Sequence, residues 1–269
     1  MRIYKTSAAG NTFLHLRDSA KLSGKEAAAL ARRLCAPTTG PGADGLILFE
    51  PEAEGAAFTI LNSDGSRAEL SGNGMAGLAT VLFSEFGRRG ELLLRSPSGP
   101  RRIALRSRWG SRFRLRLEIG SADFERRAVF PFLEGGKLRY EYNGIPFYPV
   151  SVGNPHAVVL WQEAWESQRL ATVGCELQGA PLFPEGVNVE LVKTVGRRRC
   201  RTFFYERGAG PTASSATGSA AVFSVLRRLG IAADPLRVAG KGGTITVTGY
   251  DPIQVINSCR IVSCAEIDV

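Results

Sequence analysis

The sequence contains no apolar run approaching the roughly 18 residues that a membrane-spanning helix needs, and its start, MRIYKTSAAG, carries no continuous apolar signal-peptide core. A soluble, cytoplasmic protein with no membrane partner is the expectation. Histidine is scarce. With only His15 and His156 present, a histidine-ligated metal centre is not expected, and any Ser-His-Asp arrangement must use one of the two. Cysteine is also sparse: Cys35, Cys175, Cys200, Cys259 and Cys264 are odd in number, widely spread and without a C-x-x-C pair. That supports neither a disulfide framework nor a zinc site, and predicts reduced, mostly buried thiols. The remaining composition, 269 residues with 44% hydrophobic and 22% charged, is that of a globular chain with room for one large domain or two smaller ones.

What is abundant is arginine. The formal charge is +9, and Arg101, Arg102, Arg106, Arg108, Arg112, Arg114 and Arg116 crowd one stretch. From 112 to 118 arginine alternates with Phe113, Leu115 and Leu117, the period-two signature of a strand with one wet face, after a hairpin turn at Trp109-Gly110-Ser111. Aromatics that would interleave with the charges to stack bases are missing, so a solvated face is favoured over a nucleic-acid surface. Arg197, Arg198, Arg199 and Arg201, ahead of Phe203-Phe204-Tyr205, read the same way.

Short strand-like runs recur at Ile3 to Tyr4, Leu14 to Leu16, Gly45 to Phe49, Ala57 to Leu61, Glu91 to Ser96, Ile103 to Ser107 and Arg112 to Ile119. Helices are expected from Ser23 to Leu34, with Ser23 as cap, and from Gly74 to Phe86. The plan then repeats. Strands near Lys137 to Tyr142, Tyr148 to Val152, Ala157 to Leu160, Val187 to Val192 and Cys200 to Tyr205 precede a helix from Thr217 to Leu229, with Ile261 to Val269 as a closing strand. Ser71-Gly72-Asn73-Gly74-Met75-Ala76 and Ser215-Ala216-Thr217-Gly218-Ser219-Ala220 share a pattern offset by 144 residues, each opening an apolar helix. Two pseudo-symmetric α+β domains follow, 1–116 and 117–269, with the last strand free to return to the first.

A helix apolar nearly all round belongs inside a domain, and its N-terminus is then the chemically interesting end. Unpaired N–H groups and the positive end of the dipole make it a receptor for a carboxylate. Ser71 and Ser215 stand at those ends, where serine is also a favoured cap. His156 is a candidate base, imidazole being the side chain whose ordinary range lies near neutrality. Glu69, two residues before Ser71, is a weaker one on the same strand face, and Asp64 in Ser63-Asp64-Gly65 is a turn residue.

The ordered series Asn62-Ser63-Asp64-Gly65-Ser66, Ser71-Gly72-Asn73-Gly74, Gly153-Asn154-Pro155-His156 and Glu206-Arg207-Gly208-Ala209-Gly210-x-Thr212 resembles the diaminopimelate epimerase family. Asn11 after a glycine, Gly42-Ala43-Asp44-Gly45 and Asn188 within Val187-Asn188-Val189 also fall in place, so the resemblance spans nearly the whole chain. It implies two similar domains, each a β-barrel-like sheet around a central helix, an active site between them, no PLP or other cofactor, and a homodimer. It further implies inversion of an α-carbon by two cysteines, at positions that here hold Ser71 and Ser215. The amino-acid substrate would be read by Asn11, Asn62, Asn154, Asn188, Glu206 and Arg207, with Gly72, Asn73, Ala216 and Thr217 at the helix ends.

A thiol has an ordinary pKa of about 8.5 and is lowered at a helix N-terminus, whereas a serine hydroxyl needs an adjacent base. The serine pair therefore predicts an isomerase with slow or altered chemistry. The alternative is a non-catalytic amino-acid-binding paralogue of the same fold.

Overall fold

A computed structural model describes residues 1–17, 22–161 and 167–267. They form two compact units, Met1–Glu118 with Ile256–Val269, and Ile119–Val255. The last two residues of the expected closing strand lie outside the described residues.

The first unit runs β1 (Arg2–Ala8), β2 (Asn11–Arg17), α1 (Gly24–Cys35), β3 (Gly45–Glu52), β4 (Gly55–Asn62), β5 (Arg67–Ala68), α2 (Gly72–Glu85), β6 (Glu91–Ser96), β7 (Gly99–Trp109) and β8 (Arg112–Gly120). Antiparallel β1–β2, parallel β2–β3, antiparallel β3–β4, parallel β4–β6 and antiparallel β6–β7 and β7–β8 ladders follow in turn. The ring is closed by the final strand of the chain, β17 (Ile253–Glu266), which pairs with both β8 and β1. The result is a closed eight-stranded barrel, which leaves no open sheet edge. Its interior holds α2, whose residues Gly72 through Phe83 are all buried. α1 packs outside, started by a capping box in which Ser23 Oγ accepts from the Glu26 N–H and the Glu26 carboxylate accepts from the Ser23 N–H.

The second unit repeats this plan. It comprises β9 (Tyr140–Tyr142), β10 (Ile145–Ser151), β11 (Pro155–Leu160), α3 (Ser167–Gln178), β12 (Asn188–Gly196), β13 (Arg199–Glu206), β14 (Gly210–Thr212), α4 (Ala216–Arg228), β15 (Leu236–Gly240) and β16 (Gly243–Thr248). The ladders β10–β11, β11–β12, β12–β13, β13–β15 and β15–β16 alternate antiparallel and parallel in the order found for β1–β2 through β6–β7. Ala216 through Leu226 of α4 are buried. A helix enclosed by sheet must be apolar all round, and the runs Met75–Leu82 and Ala220–Leu226 supply that.

The expected strand Lys137 to Tyr142 is corrected to three residues, Tyr140–Tyr142, because Lys137 closes a turn onto the Glu134 carbonyl. Glu69 is also corrected: it lies beyond the two-residue β5 and is exposed, not on a strand face with Ser71. Three thiols, Cys35, Cys200 and Cys259, are buried, while Cys175 and Cys264 are exposed. Among the described residues no helix is long and apolar enough to cross a membrane, and no group of three or more His, Cys, Asp or Glu is placed to hold a metal ion.

Candidate functional site

The two central helices begin in the same way. Ser71, at φ −139° and ψ 111°, and Ser215, at φ −139° and ψ 129°, are extended N-caps. Each hydroxyl accepts from the N–H three residues on, Gly74 N to Ser71 Oγ and Gly218 N to Ser215 Oγ, both at 3.1 Å. Gly72 in one helix and Ala216 in the other stand in the first turn, where the backbone N–H groups point out of the helix end rather than along its ladder. A ligand carboxylate is the natural complement of such an end.

Around Ser71 the first unit is built from amides and apolar side chains. Asn257 on β17 donates to Asn73 Oδ1 at 2.8 Å, Asn73 donates to Asn11 Oδ1 at 3.4 Å, and Asn11 donates to Asp44 Oδ2 at 2.8 Å. Asp44 Oδ2 also accepts from the Thr12 N–H at 2.6 Å and the Thr12 hydroxyl at 3.0 Å, so this one oxygen gathers three donors from the start of β2. Asn62, the last residue of β4, donates its amide to Ser66 Oγ at 2.9 Å across the turn that Asp64 closes by accepting the Ser66 N–H. A Cβ on Gly74 would stand 2.9 Å from Ile47 Cδ1 and 3.4 Å from Phe13 Cε1, so these two apolar side chains face the first turn of α2.

The corresponding place in the second unit is polar. Register makes the equivalence explicit: Phe13 pairs with Gly45 and His15 with Ile47 on β2–β3, while His156 pairs with Asn188 and Val158 with Glu190 on β11–β12. Where the first unit has Phe13 and Ile47, the second has His156 and Glu190. Both are wholly buried, and His156 Nδ1 lies 2.8 Å from Glu190 Oε1. His156 Nε2 lies 2.9 Å from Asn154 Oδ1, so both ring nitrogens are engaged. A Cβ on Gly218 would stand 2.5 Å from Glu190 Oε1, which places the carboxylate under the first turn of α4.

Glu206, the last residue of β13, holds the position that Asn62 holds on β4. Its carboxyl is pushed above the usual carboxylate range, chiefly by burial. The hydroxyls of Thr212 and Ser215 pull the other way, Glu190 adds to the rise and His156 opposes it, so all four lie within electrostatic reach. Thr212 Oγ1 is buried and closes no hydrogen bond of good geometry, and Glu190 Oε2 is likewise buried without a partner. Ser215 Oγ has a second neighbour in Thr217 Oγ1 at 3.3 Å.

Of the residues singled out from the sequence, Ser71, Gly72, Asn73, Asn11 and Asn62 thus lie in the first unit, and Ser215, Ala216, Thr217, His156, Asn154, Asn188, Glu206 and Arg207 in the second. Asn188 donates to the Pro155 carbonyl at 2.8 Å and accepts from the Arg207 N–H at 3.1 Å, while the Arg207 guanidinium donates to the Glu185 carbonyl at 3.0 Å. Sequence reasoning missed Asn257, which supports Asn73, and Glu190, which supports His156. For Glu190 a signal was present: a lone carboxylate inside the apolar run Val187–Val192 must be buried and must find a partner.

The sequence profile of the Diaminopimelate epimerase family matches residues 3–124 and 148–257. The chain is 31% identical over 267 residues to the diaminopimelate epimerase of Magnetococcus marinus, covering 96% of this chain and 92% of that one. It is 28% identical over 252 residues to that of Methanocaldococcus jannaschii, covering 86% and 85%. Among solved structures, the hydroxyproline epimerase of Agrobacterium vitis with bound trans-4-hydroxy-L-proline shares the fold at TM-score 0.74 and 16% identity, over 98% of this chain and 91% of that one. A predicted epimerase of Pseudomonas aeruginosa does so at TM-score 0.71 and 17% identity, over 100% and 99%.

Proposed function

The chain belongs to the diaminopimelate epimerase family, and from that premise we propose that it is an isomerase acting, without PLP, at the α-carbon of an amino acid that carries a second charged end. The observation that carries this reading is the repeated one: each unit buries a helix whose N-terminus is capped by a serine, with an amide from the start of β2 on Asn73 in the first and a histidine–carboxylate pair under the first turn in the second. The helix N-termini would hold the α-carboxylate and stabilise the charge that develops there when the α-proton leaves. Ser71 and Ser215 would take the places of the family's proton-transferring pair, and His156, paired with the Glu190 carboxylate that lies under the first turn of α4, would serve the second. The Glu206 carboxylate suits an ammonium group and Arg207 a second carboxylate. Gly72, Asn73, Ala216 and Thr217 supply the helix-end contacts, and Asn11, Asn62, Asn154 and Asn188 the amide ones. The protein would work in the cytoplasm, as a homodimer, on a member of the diaminopimelate class.

The test is deuterium uptake at the α-carbons of LL- and meso-diaminopimelate in D₂O, followed by NMR. Uptake well above the buffer rate supports the reading. Failure of both isomers to exchange, together with no thermal stabilisation of the protein by either, overturns it.

A further inference from the structure

Asn11 and Asn154 are equivalent residues, each two positions before a residue that register aligns, Phe13 in the first unit and His156 in the second. Their amides are fixed in opposite senses. Asn11 has its Nδ2 on the Asp44 carboxylate and its Oδ1 turned to the Asn73 amide, so its donor side is the one tied to a charge. Asn154 has its Oδ1 on His156 Nε2 at 2.9 Å, and its Nδ2 donates to nothing among the described residues although the residue is only 8% exposed. What fixes this sense lies one step further in. A carboxylate only accepts, so Glu190 Oε1, 2.8 Å from His156 Nδ1, holds a proton on that nitrogen. An amide oxygen also only accepts, so the contact with Asn154 needs a second proton, on Nε2. The ring between them is an imidazolium paired with a carboxylate, both wholly buried, and pairing is what allows charge in a protein interior. A neutral ring would present a lone pair at Nε2 and draw the Asn154 amide round to meet it N–H first. Asn188 is fixed in the same sense by the backbone. Its Oδ1 accepts the Arg207 N–H at 3.1 Å and its Nδ2 donates to the Pro155 carbonyl at 2.8 Å, which leaves it one N–H.

We propose that the buried Glu190–His156 pair sets the direction of the Asn154 amide, so that the second unit meets its ligand there with N–H groups and selects a carboxylate over a carboxamide. Asn154 is the residue that binds, and Glu190 and His156, both wholly buried, are positioning residues. This rests on the amino-acid reading above and adds what decides selectivity at one end of the ligand. Reversing the amide would set its oxygen against a ligand carboxylate, replacing a donor facing an anion by two acceptors facing each other. Discrimination of that kind is strong, because the wrong partner leaves both groups desolvated and unpaired. The first unit has no such control, since Phe13 and Ile47 stand where His156 and Glu190 stand in the second.

The first measurement is nitrogen-15 NMR of the two histidine rings in the ligand-free protein at pH 7.5. His15, with Nδ1 unpaired and its pKa held down to about 3 by burial, supplies the neutral reference. The expected result is a His156 ring protonated on both nitrogens that turns neutral in Glu190→Gln. An unprotonated Nε2 in the unaltered protein overturns the proposal. The second measurement is calorimetric binding of meso-diaminopimelate and of its two monoamides. Glu190→Gln should lower affinity for diaminopimelate by about tenfold or more, and narrow the preference for it over one monoamide by a similar factor. A loss shared equally by all three ligands, at unchanged melting temperature, overturns the proposal. Should Glu190→Gln fail to fold, Asn154→Asp carries the test, since it places oxygen where the N–H groups stood. It should bind diaminopimelate more weakly than Asn154→Ala does, and equal or tighter binding overturns the proposal. If the unaltered protein binds none of the three, the diaminopimelate reading falls, and the ring nitrogens still decide the direction of the amide.

Discussion

The same glycine-to-alanine change should have different consequences at two equivalent positions. Gly74 and Gly218 are each the third residue of a central helix, and each would direct a new methyl group at the strand beneath. At Gly74 the methyl meets Ile47 Cδ1 at 2.9 Å, the mobile end of an aliphatic side chain. A shift of a few tenths of an ångström relieves that contact, and the gain of alanine over glycine in a helix, about 0.8–1 kcal/mol, offsets it. At Gly218 the methyl meets Glu190 Oε1 at 2.5 Å, with Phe204 Cδ1 and Ser215 Cβ each at 3.0 Å. Relief here requires the carboxylate to leave His156 Nδ1. Overpacking costs about 1–3 kcal/mol and the lost charged hydrogen bond about 1.5–3 kcal/mol; less the helix gain, the net is about 2–5 kcal/mol. At about 2–4 °C per kcal/mol for a chain of this size, Gly218→Ala should melt roughly 4–20 °C lower, and Gly74→Ala within about 3 °C of the parent. Circular dichroism melts of the three proteins, with urea titrations to detect separate unfolding of the two units, decide it. Equal stabilities for the two variants would refute the idea that a packed histidine–carboxylate pair replaces an apolar pair beneath α4.

Three further outcomes are expected. His15 is fully buried with Nδ1 unpaired, and burial holds its pKa down to about 3; the unfolded chain protonates from about 6.5 downward while the native state does not. Stability should therefore fall by up to about 1.4 kcal/mol per pH unit between those values, and His15→Gln should remove that share of the slope in denaturant titrations across pH 3–7. Cys35 and Cys200 are pushed up to about 12 and Cys259 to about 11 by burial, whereas Cys175 and Cys264 are exposed. A thiol-disulfide reagent at pH 8 should titrate two thiols in the native protein and five after unfolding; rapid labelling of more than two would contradict the packing described. Asn257→Leu removes the donor to buried Asn73 Oδ1 and should cost about 1–3 kcal/mol while weakening ligand binding, read by calorimetry; unchanged affinity would remove the amide chain from the site.

The fold was legible where one physical signal dominated. The apolar runs Gly45–Phe49 and Ala57–Leu61 and the small-residue helices announce buried elements, and the observed β3, β4, α2 and α4 match the expected spans within a few residues at most ends. β1 read as only two residues because Lys5 and Ser7 on its other face broke the apolar pattern, yet it runs from Arg2 to Ala8. α3 went unread although Leu170, Val173 and Leu177 form a short buried stripe, because only three large apolar residues mark it among Ala, Gly and polar ones. In the site, the shared serine caps were visible as a repeat. The asymmetry was not, because it depends on which strand residues oppose one another: only register shows that Glu190 stands where Ile47 stands. Asn257 was invisible for a related reason, being an isolated amide brought to Asn73 by a pairing of distant strands.

That distant pairing constrains how the protein can come into being. β1 and β17 are neighbours with Arg2 opposite Glu266, so β1 waits for a strand made long after it. During synthesis the second unit has its whole sequence available while the first barrel is still one strand short, and the open edges of β1 and β8 must remain solvated until residues 256–266 emerge. The unit that begins the chain is thus completed after the one inserted into it, and ribosome-bound chains halted before β17 would present an unfinished barrel to chaperones and proteases.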